Sequence, residues 1–221
     1  MDISQYATLI FDCDGVILDS NKIKTAAFYN AALPYGQDAA EALVNYHEQN
    51  GGISRYVKFE YFLEEILGLE AETKTINNLL SSFVSEVKEE LTVCPISLGL
   101  KDLRKNSNSN WLVVSGGDQK ELRCIFSERN LTENFNSGIF GSPETKELIL
   151  SREIDNGNIK FPALFIGDSK YDYQVAKAKN IDFVFAYDWT EVMDWSEFCY
   201  ENDIEVIKNL AQLQDRAVKA N

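Results

Sequence analysis

Proline and glycine are sparse in this chain, four and twelve in 221 residues, and no repeat or low-complexity tract appears. With 45% hydrophobic and 12% aromatic residues, the composition argues against disorder and supports a buried core. The four cysteines, Cys13, Cys94, Cys124 and Cys199, are scattered and show no metal-ligand spacing. They read as free thiols in a reducing compartment. No apolar run approaches membrane-spanning length. The opening MDISQYATLIFD has no basic region followed by an apolar stretch, so no signal peptide is visible. The expectation is a soluble cytoplasmic protein. Positive charge is also short: 21 Lys and Arg stand against 35 Asp and Glu, a net charge of −14. Such a surface repels nucleic acid and anionic membranes, and neither is expected as a partner. If the substrate is an anion, the site must carry its own local positive charge.

What is present is organised. Short, nearly continuous apolar runs occur at Ala7–Phe11, Trp111–Val114, Gly138–Phe140, Ala163–Ile166 and Phe183–Ala186. They are rich in β-branched and aromatic residues, as strands covered on both faces are. Helical patterns separate the last four, which predicts βαβ units and a mostly parallel sheet. Between the first two strands, residues 21–92 read as helical throughout. Phe59, Phe62, Leu63 and Ile66 keep helical spacing, as do Leu79, Leu80, Phe83, Val87 and Leu91. Gly51-Gly52 breaks the run. A crossover needs only one helix, so the expectation is an α/β protein in two parts. A Rossmann-like core spans residues 1–20 and 93–221, and a helical domain is inserted over 21–92.

Polar residues collect at four strand ends, all C-terminal, the edge where open α/β sheets bind ligands. The first is Asp12-Cys13-Asp14-Gly15. Alternation along an extended chain lets both carboxylates point one way while Cys13 points into the core. Two such carboxylates repel unless a cation lies between them. The second is Ser115-Gly116-Gly117, read as a strand–helix turn whose hydroxyl and amides suit a phosphate. The third is Ser142-Pro143-Glu144-Thr145-Lys146, where Pro143 is expected to open a helix with Lys146 in its first turn. The fourth is Gly167-Asp168-Ser169-Lys170-Tyr171-Asp172, with Asp168 and Asp172 expected on one face. Singly, each has an ordinary explanation: a helix cap, a turn, a solvated lysine. Together they supply the parts of one reaction at one edge.

The order DxDG, Ser, Lys, GDxxxD resembles the haloacid dehalogenase-like hydrolase superfamily. The stretch Phe11-Asp12-Cys13-Asp14-Gly15-Val16-Ile17-Leu18-Asp19-Ser20 is similar to members with a helical cap, such as phosphoglycolate phosphatases and β-phosphoglucomutases. The resemblance covers nearly the whole chain. It implies a phosphatase in which Asp12 attacks phosphorus and forms an aspartyl-phosphate. Asp14 would protonate the leaving oxygen and then activate water. Ser115 and nearby amides, Gly116 among them, would hold the phosphoryl oxygens. Lys146 would neutralise charge on Asp12 and on the transferring group. Asp12, the carbonyl of Asp14, and Asp168 would bind Mg²⁺, with Asp172 acting through a metal-bound water.

The implied substrate is a small phosphorylated metabolite: a sugar phosphate, a sugar acid phosphate or a phosphoglycolate-like compound. In the cap, Gly52-Ile53-Ser54-Arg55 resembles the β-phosphoglucomutase loop whose Arg meets the substrate's distal group. Lys58 follows one turn later. Lys24 stands where those mutases carry a proton-moving His. Each also reads as a solvated basic residue. His47, the only histidine, reads as structural or exposed. The aromatic segment Tyr187–Trp195 is expected to pack beneath a C-terminal helix carrying Ile204, Ile207, Leu210 and Leu213. A phosphomutase is the nearest alternative, disfavoured by Lys24 in place of His. A dehalogenase and a phosphonatase are disfavoured because their relatives lack the second Asp. A non-catalytic binding protein on the same fold ranks below these.

Overall fold

A computed structural model describes residues 2–213. Six strands, β1 (Thr8–Phe11), β2 (Asn110–Asp118), β3 (Ile139–Ser142), β4 (Ala163–Gly167), β5 (Asp182–Ala186) and β6 (Glu205–Ile207), form one sheet. Its order is β3-β2-β1-β4-β5-β6 and every pairing is parallel. Alternate residues of β1, β2 and β4 enter different cores. Leu9, Phe11, Trp111, Val113, Leu164 and Ile166 belong to one apolar cluster. Ile10, Leu112, Val114 and Phe165 belong to the other. The period of two thus buries both faces, which is why these runs lack polar alternation.

Five helices lie between β1 and β2, and the first four are α1 (Asn21–Ala32), α2 (Gln37–Gln49), α3 (Arg55–Tyr61) and α4 (Thr73–Val93). A π-type turn over Phe62–Ile66 continues α3. The expected apolar faces are buried. Phe59, Phe62, Leu63, Leu79, Phe83, Val87 and Leu91 are sealed, and Ile66 and Leu80 pack against them. Phe28 of α1 ties the group together, with ring centroids 5.2 Å from Phe59 and 4.6 Å from Phe83. Full burial of each such ring contributes about 1.5–3 kcal/mol. Five further helices follow: α5 (Leu100–Lys105), α6 (Gln119–Glu128), α7 (Lys146–Asp155), α8 (Lys170–Ala178) and α9 (Trp195–Glu201).

The structure departs from the sequence reading in three places. Ile204 and Ile207 are not on a helix. Asp203 adopts a left-handed φ of 53°, which interrupts any helix there, and residues 205–207 add to the free edge of β5 as β6. Leu210 and Leu213 do lie on a helical turn, and the rest of the expected C-terminal helix falls outside the described residues. Pro143 does not open α7. That helix begins at Lys146 behind Thr145, whose hydroxyl accepts from the Leu148 amide. Ser115-Gly116-Gly117 is not a turn either. β2 runs through it to Asp118, with a register shift against β3. Asp118 then caps α6 by accepting from the Glu121 amide.

Candidate active site

Asp12 and Asp168 follow directly on β1 and β4, the two neighbouring central strands, so their carboxylates meet at one sheet edge. Asp172 joins from the first turn of α8, whose N-cap is Ser169. These three buried residues each offer an oxygen within 4.8 Å of the others. Lys146, at the start of α7 and 1% exposed, enters the cluster. Its Nζ lies 3.0 Å from Asp12 Oδ2 and donates to Asp172 Oδ1 at 2.6 Å. Burial alone would discharge this ammonium. The Asp12 and Asp172 carboxylates outweigh burial and hold its pKa well above the ordinary range.

One ammonium does not balance three carboxylates. Burial pushes the Asp168 carboxyl well up, and the charges of Asp12 and Asp172 push it further. Asp12 is raised as well, by burial first and by Asp172 and Asp14 next, with Lys146 opposing. A buried set of hard oxygen donors with excess negative charge fits a divalent cation such as Mg²⁺. The hydrogen bonds sort the donors. Asp172 is fully engaged, accepting from Lys146 at one oxygen and from Ser169 Oγ at the other, 2.6 Å away. Asp168 accepts from Asn21 Nδ2 at Oδ2, 2.7 Å away, and among the described residues no hydrogen bond engages its Oδ1. Asp12 Oδ1 accepts the Cys13 amide at 2.7 Å.

Asp14 lies apart from this cluster. Its Oδ2 accepts from Lys24 Nζ at 2.5 Å and its Oδ1 from Ser20 Oγ at 2.6 Å. Burial would raise the carboxyl, but Lys24 and Ser20 win and hold it below the ordinary range. Gly15 opens the turn that follows Asp14. Its φ is +73°, and a Cβ there would stand 2.0 Å from Asp168 Oδ2. Ser115 is buried, and its Oγ accepts the Gly117 amide at 3.0 Å.

The inserted helices reach this edge. Gly52, in the loop between α2 and α3, places its carbonyl directly over Gly116. Arg55 is buried rather than solvated, and its Nη1 donates to both Glu121 oxygens, at 3.1 and 3.0 Å. Tyr56 Oη donates to Asp118 Oδ2 at 2.8 Å. Lys24 and Lys58 are buried too, as is His47. Lys24, Arg55, Lys58 and Gly116 line one cavity with Asp12, Asp14 and Asp168. Sequence reasoning missed the supporting groups. Asn21 bridges Asp168 and the Trp189 carbonyl. Thr190 donates to the Asp168 carbonyl at 2.6 Å, and Glu191 lines the cavity. The segment read as packing therefore edges the site, although Tyr187 does stack on Trp195 at 4.6 Å. A single amide at the start of a helix and a hydroxyl in a loop carry no periodic signal that could have identified them.

The close approach at Gly116 gives a test. A Cβ there would meet the Gly52 carbonyl oxygen at 2.2 Å and its carbon at 2.9 Å, both backbone atoms of the inserted segment. Gly116→Ala is expected to keep the fold but displace that loop from the sheet edge. Misplacement on the order of 1 Å costs about 10²-fold in rate, so kcat/KM should fall roughly that far while Tm changes little. Wild-type rates in this variant would mean that the two loops need not meet during turnover.

Fold and site together define an α/β protein with a carboxylate-and-lysine centre at the C-terminal edge of a parallel sheet. Residues 9–186 match the family model of the haloacid dehalogenase-like hydrolases, and the chain belongs to that family. Among solved structures it is similar to a predicted phosphatase from Clostridium acetobutylicum, with TM-score 0.74 and 17% identity over 98% of this chain and 100% of that one. It is also similar to a predicted phosphoglycolate phosphatase from Haemophilus somnus, with TM-score 0.70 and 16% identity over 96% and 98%. A β-phosphoglucomutase from Clostridium difficile aligns with TM-score 0.69 and 17% identity over 97% and 98%. At such identities the likeness concerns the fold. No curated protein matches the chain in sequence. Among the described residues, no helix is long and apolar enough to cross a membrane.

Proposed function

We propose that this protein is a Mg²⁺-dependent phosphatase that hydrolyses a small phosphate monoester through an aspartyl-phosphate on Asp12. The observation that carries the reading is the Lys146 bridge between Asp12 and Asp172 beside Asp168, a nucleophile and its counter-charges in one buried cluster. Asp12 and Asp168, with the Asp14 carbonyl, would hold Mg²⁺, and Asp172 would orient Lys146 and the outer ligands. The cation would supply charge neutralisation for the phosphoryl oxygens. An Asp12 carboxylate oxygen attacks phosphorus, and the bond from phosphorus to the leaving oxygen breaks. The leaving oxygen is far more basic than Asp14, which is ionised here against Lys24. Its proton therefore comes through Asp14 from the Lys24 ammonium. In the second step water attacks the phosphorus of the aspartyl-phosphate, the bond from phosphorus to the Asp12 oxygen breaks to free the carboxylate, and a proton of the water returns through Asp14 to Lys24. The 21–92 segment would act as a cap that encloses this chemistry and contributes the substrate contacts.

A panel of phosphorylated metabolites with Mg²⁺, read as released phosphate and as isomerised sugar phosphate, tests the reaction. Free phosphate is expected to appear first, without a bisphosphate activator. Faster isomerisation would make the enzyme a mutase. Chelation is expected to abolish turnover and to lower Tm, because the carboxylates lose their counter-ion. Full activity in excess EDTA would remove the metal from the mechanism.

A further inference from the structure

The cavity holds a cation that the chemistry above does not use. Lys58 of α3 is 1% exposed, yet no carboxylate among the described residues forms an ion pair with it. Every other buried cation in the cavity or beside it has such a partner: Lys24 has Asp14, Arg55 has Glu121, and Lys146 has two aspartates. Lys58 Nζ instead lies 2.6 Å from His47 Nδ1 and 3.5 Å from the His47 carbonyl. It also lies 5.5 Å from the centre of the Phe28 ring. Burial, with Lys58 and Lys24 nearby, holds His47 far below its ordinary pKa, so its ring is neutral. A neutral imidazole that accepts from Lys58 at Nδ1 carries its proton on Nε2, and this buried atom has no hydrogen-bond partner among the described residues. Arg55, three residues before Lys58 and so on the same helical face, also leaves its buried Nε–H without a hydrogen-bond partner among the described residues. Two carboxylates, Glu48 and Glu191, line the cavity too. Glu191 accepts from Thr25 at 2.8 and 3.0 Å and stands 3.9 Å from His47 Nε2.

We propose that Lys58, positioned by His47 and assisted by the free Arg55 Nε–H, receives a second anionic group of the substrate, a carboxylate. This rests on the phosphatase reading for the phosphoryl end alone. A buried ammonium without a counter-charge and a buried guanidinium N–H without an acceptor are costly unless a ligand supplies them. An anion at that seat would retain the Lys58 proton, which burial, with Lys24 next, otherwise loosens by lowering its pKa to about 7. Size limits the candidates. The cavity measures about 60 Å³, room for roughly four to six water-sized centres. A short-chain phosphorylated acid fits that space, with its phosphate at Asp12 and its carboxylate at Lys58. Arg55 is then a shared element, since its Nη1 remains bound to Glu121.

The test uses matched non-hydrolysable probes, so that it does not depend on turnover. Titration calorimetry with Mg²⁺ compares 3-phosphonopropionate with propylphosphonate, which replaces the carboxylate by a methyl group. The wild-type protein is expected to bind the carboxylated probe about 10- to 100-fold more tightly, the range of one charge-assisted contact. In Lys58→Met that preference should fall to about 3-fold or less, and Lys58→Arg should restore part of it. Equal wild-type affinity for the two probes overturns the proposal, even if Lys58→Met fails to fold. An unchanged preference in a folded Lys58→Met also overturns it and points to Lys24 or Arg55. A preference for ethane-1,2-diphosphonate over 3-phosphonopropionate would replace the carboxylate by a second phosphoryl group. If the carboxylate preference holds while no phosphate ester is hydrolysed, the anion seat stands and the phosphatase reading falls.

Discussion

Asp12→Asn is expected to lower kcat by at least about 10⁴-fold, because removing the nucleophile of a covalent mechanism costs losses of that order. The folded protein should tolerate the change. Asn keeps the shape of Asp, and its amide remains at the end of β1. In the wild-type protein burial and the neighbouring Asp172 and Asp14 charges disfavour the ionised carboxylate more than Lys146 favours it. Removing that charge takes one carboxylate out of a crowded set, so the metal-free Tm should stay level or rise. The rise of Tm on adding Mg²⁺ should shrink, because one ligand oxygen is gone. These outcomes separate a catalytic role from a structural one. A variant that keeps wild-type turnover would remove the aspartyl-phosphate, and a variant that unfolds would assign Asp12 to the scaffold.

Lys146→Met is expected to show the largest loss of stability of any single change at the site. The side chain is buried between two carboxylates at 3.0 and 2.6 Å. Methionine matches its length but leaves Asp12, Asp168 and Asp172 facing one another without an ammonium. Breaking a buried pair by removing one partner costs about 3–5 kcal/mol. For a chain of this length that corresponds to roughly 6–20 °C in Tm. Millimolar Mg²⁺ should recover part of the loss, since it neutralises the same oxygens. Asp172→Asn added to Lys146→Met should recover part as well, because the two residues are coupled. Turnover should fall by about 10²–10³-fold or more, as when a preorganised donor is removed from a transition state. A Tm within 2 °C of wild type would show that the ion pairs contribute little and that water reaches the cluster.

Several parts of this molecule were legible as sequence. Five of the six strands appear as uninterrupted apolar runs because both faces of a parallel sheet are buried, so local composition reports the environment directly. The carboxylates were legible for a related reason. Asp12 and Asp168 end such runs, and the ends of β1 and β4 are neighbours in the sheet. Pairing therefore brings together two residues 156 positions apart. β6 was not legible. Three residues at a sheet edge, one of them charged, carry too little pattern, and the spacing of Ile204, Ile207, Leu210 and Leu213 imitates a helix.

The sequence by itself determined the α/β class, the polar residues at or near the C-terminal ends of four strands and the helical nature of the 21–92 segment. Each follows from a short-range period or from a residue type that only one kind of site requires. What only the tertiary structure decided is how the basic residues of that segment are used. A sequence cannot distinguish a solvated lysine from a buried one on the same helix, because the distinction lies in groups brought from elsewhere. Lys24 is bound to Asp14, Arg55 to Glu121 across 66 positions, and Lys58 to a neutral His47 with no ion-paired carboxylate among the described residues. Burial raises the cost of every unmatched charge. The partner, or its absence, therefore decides whether a cation braces the closed protein or waits for a ligand.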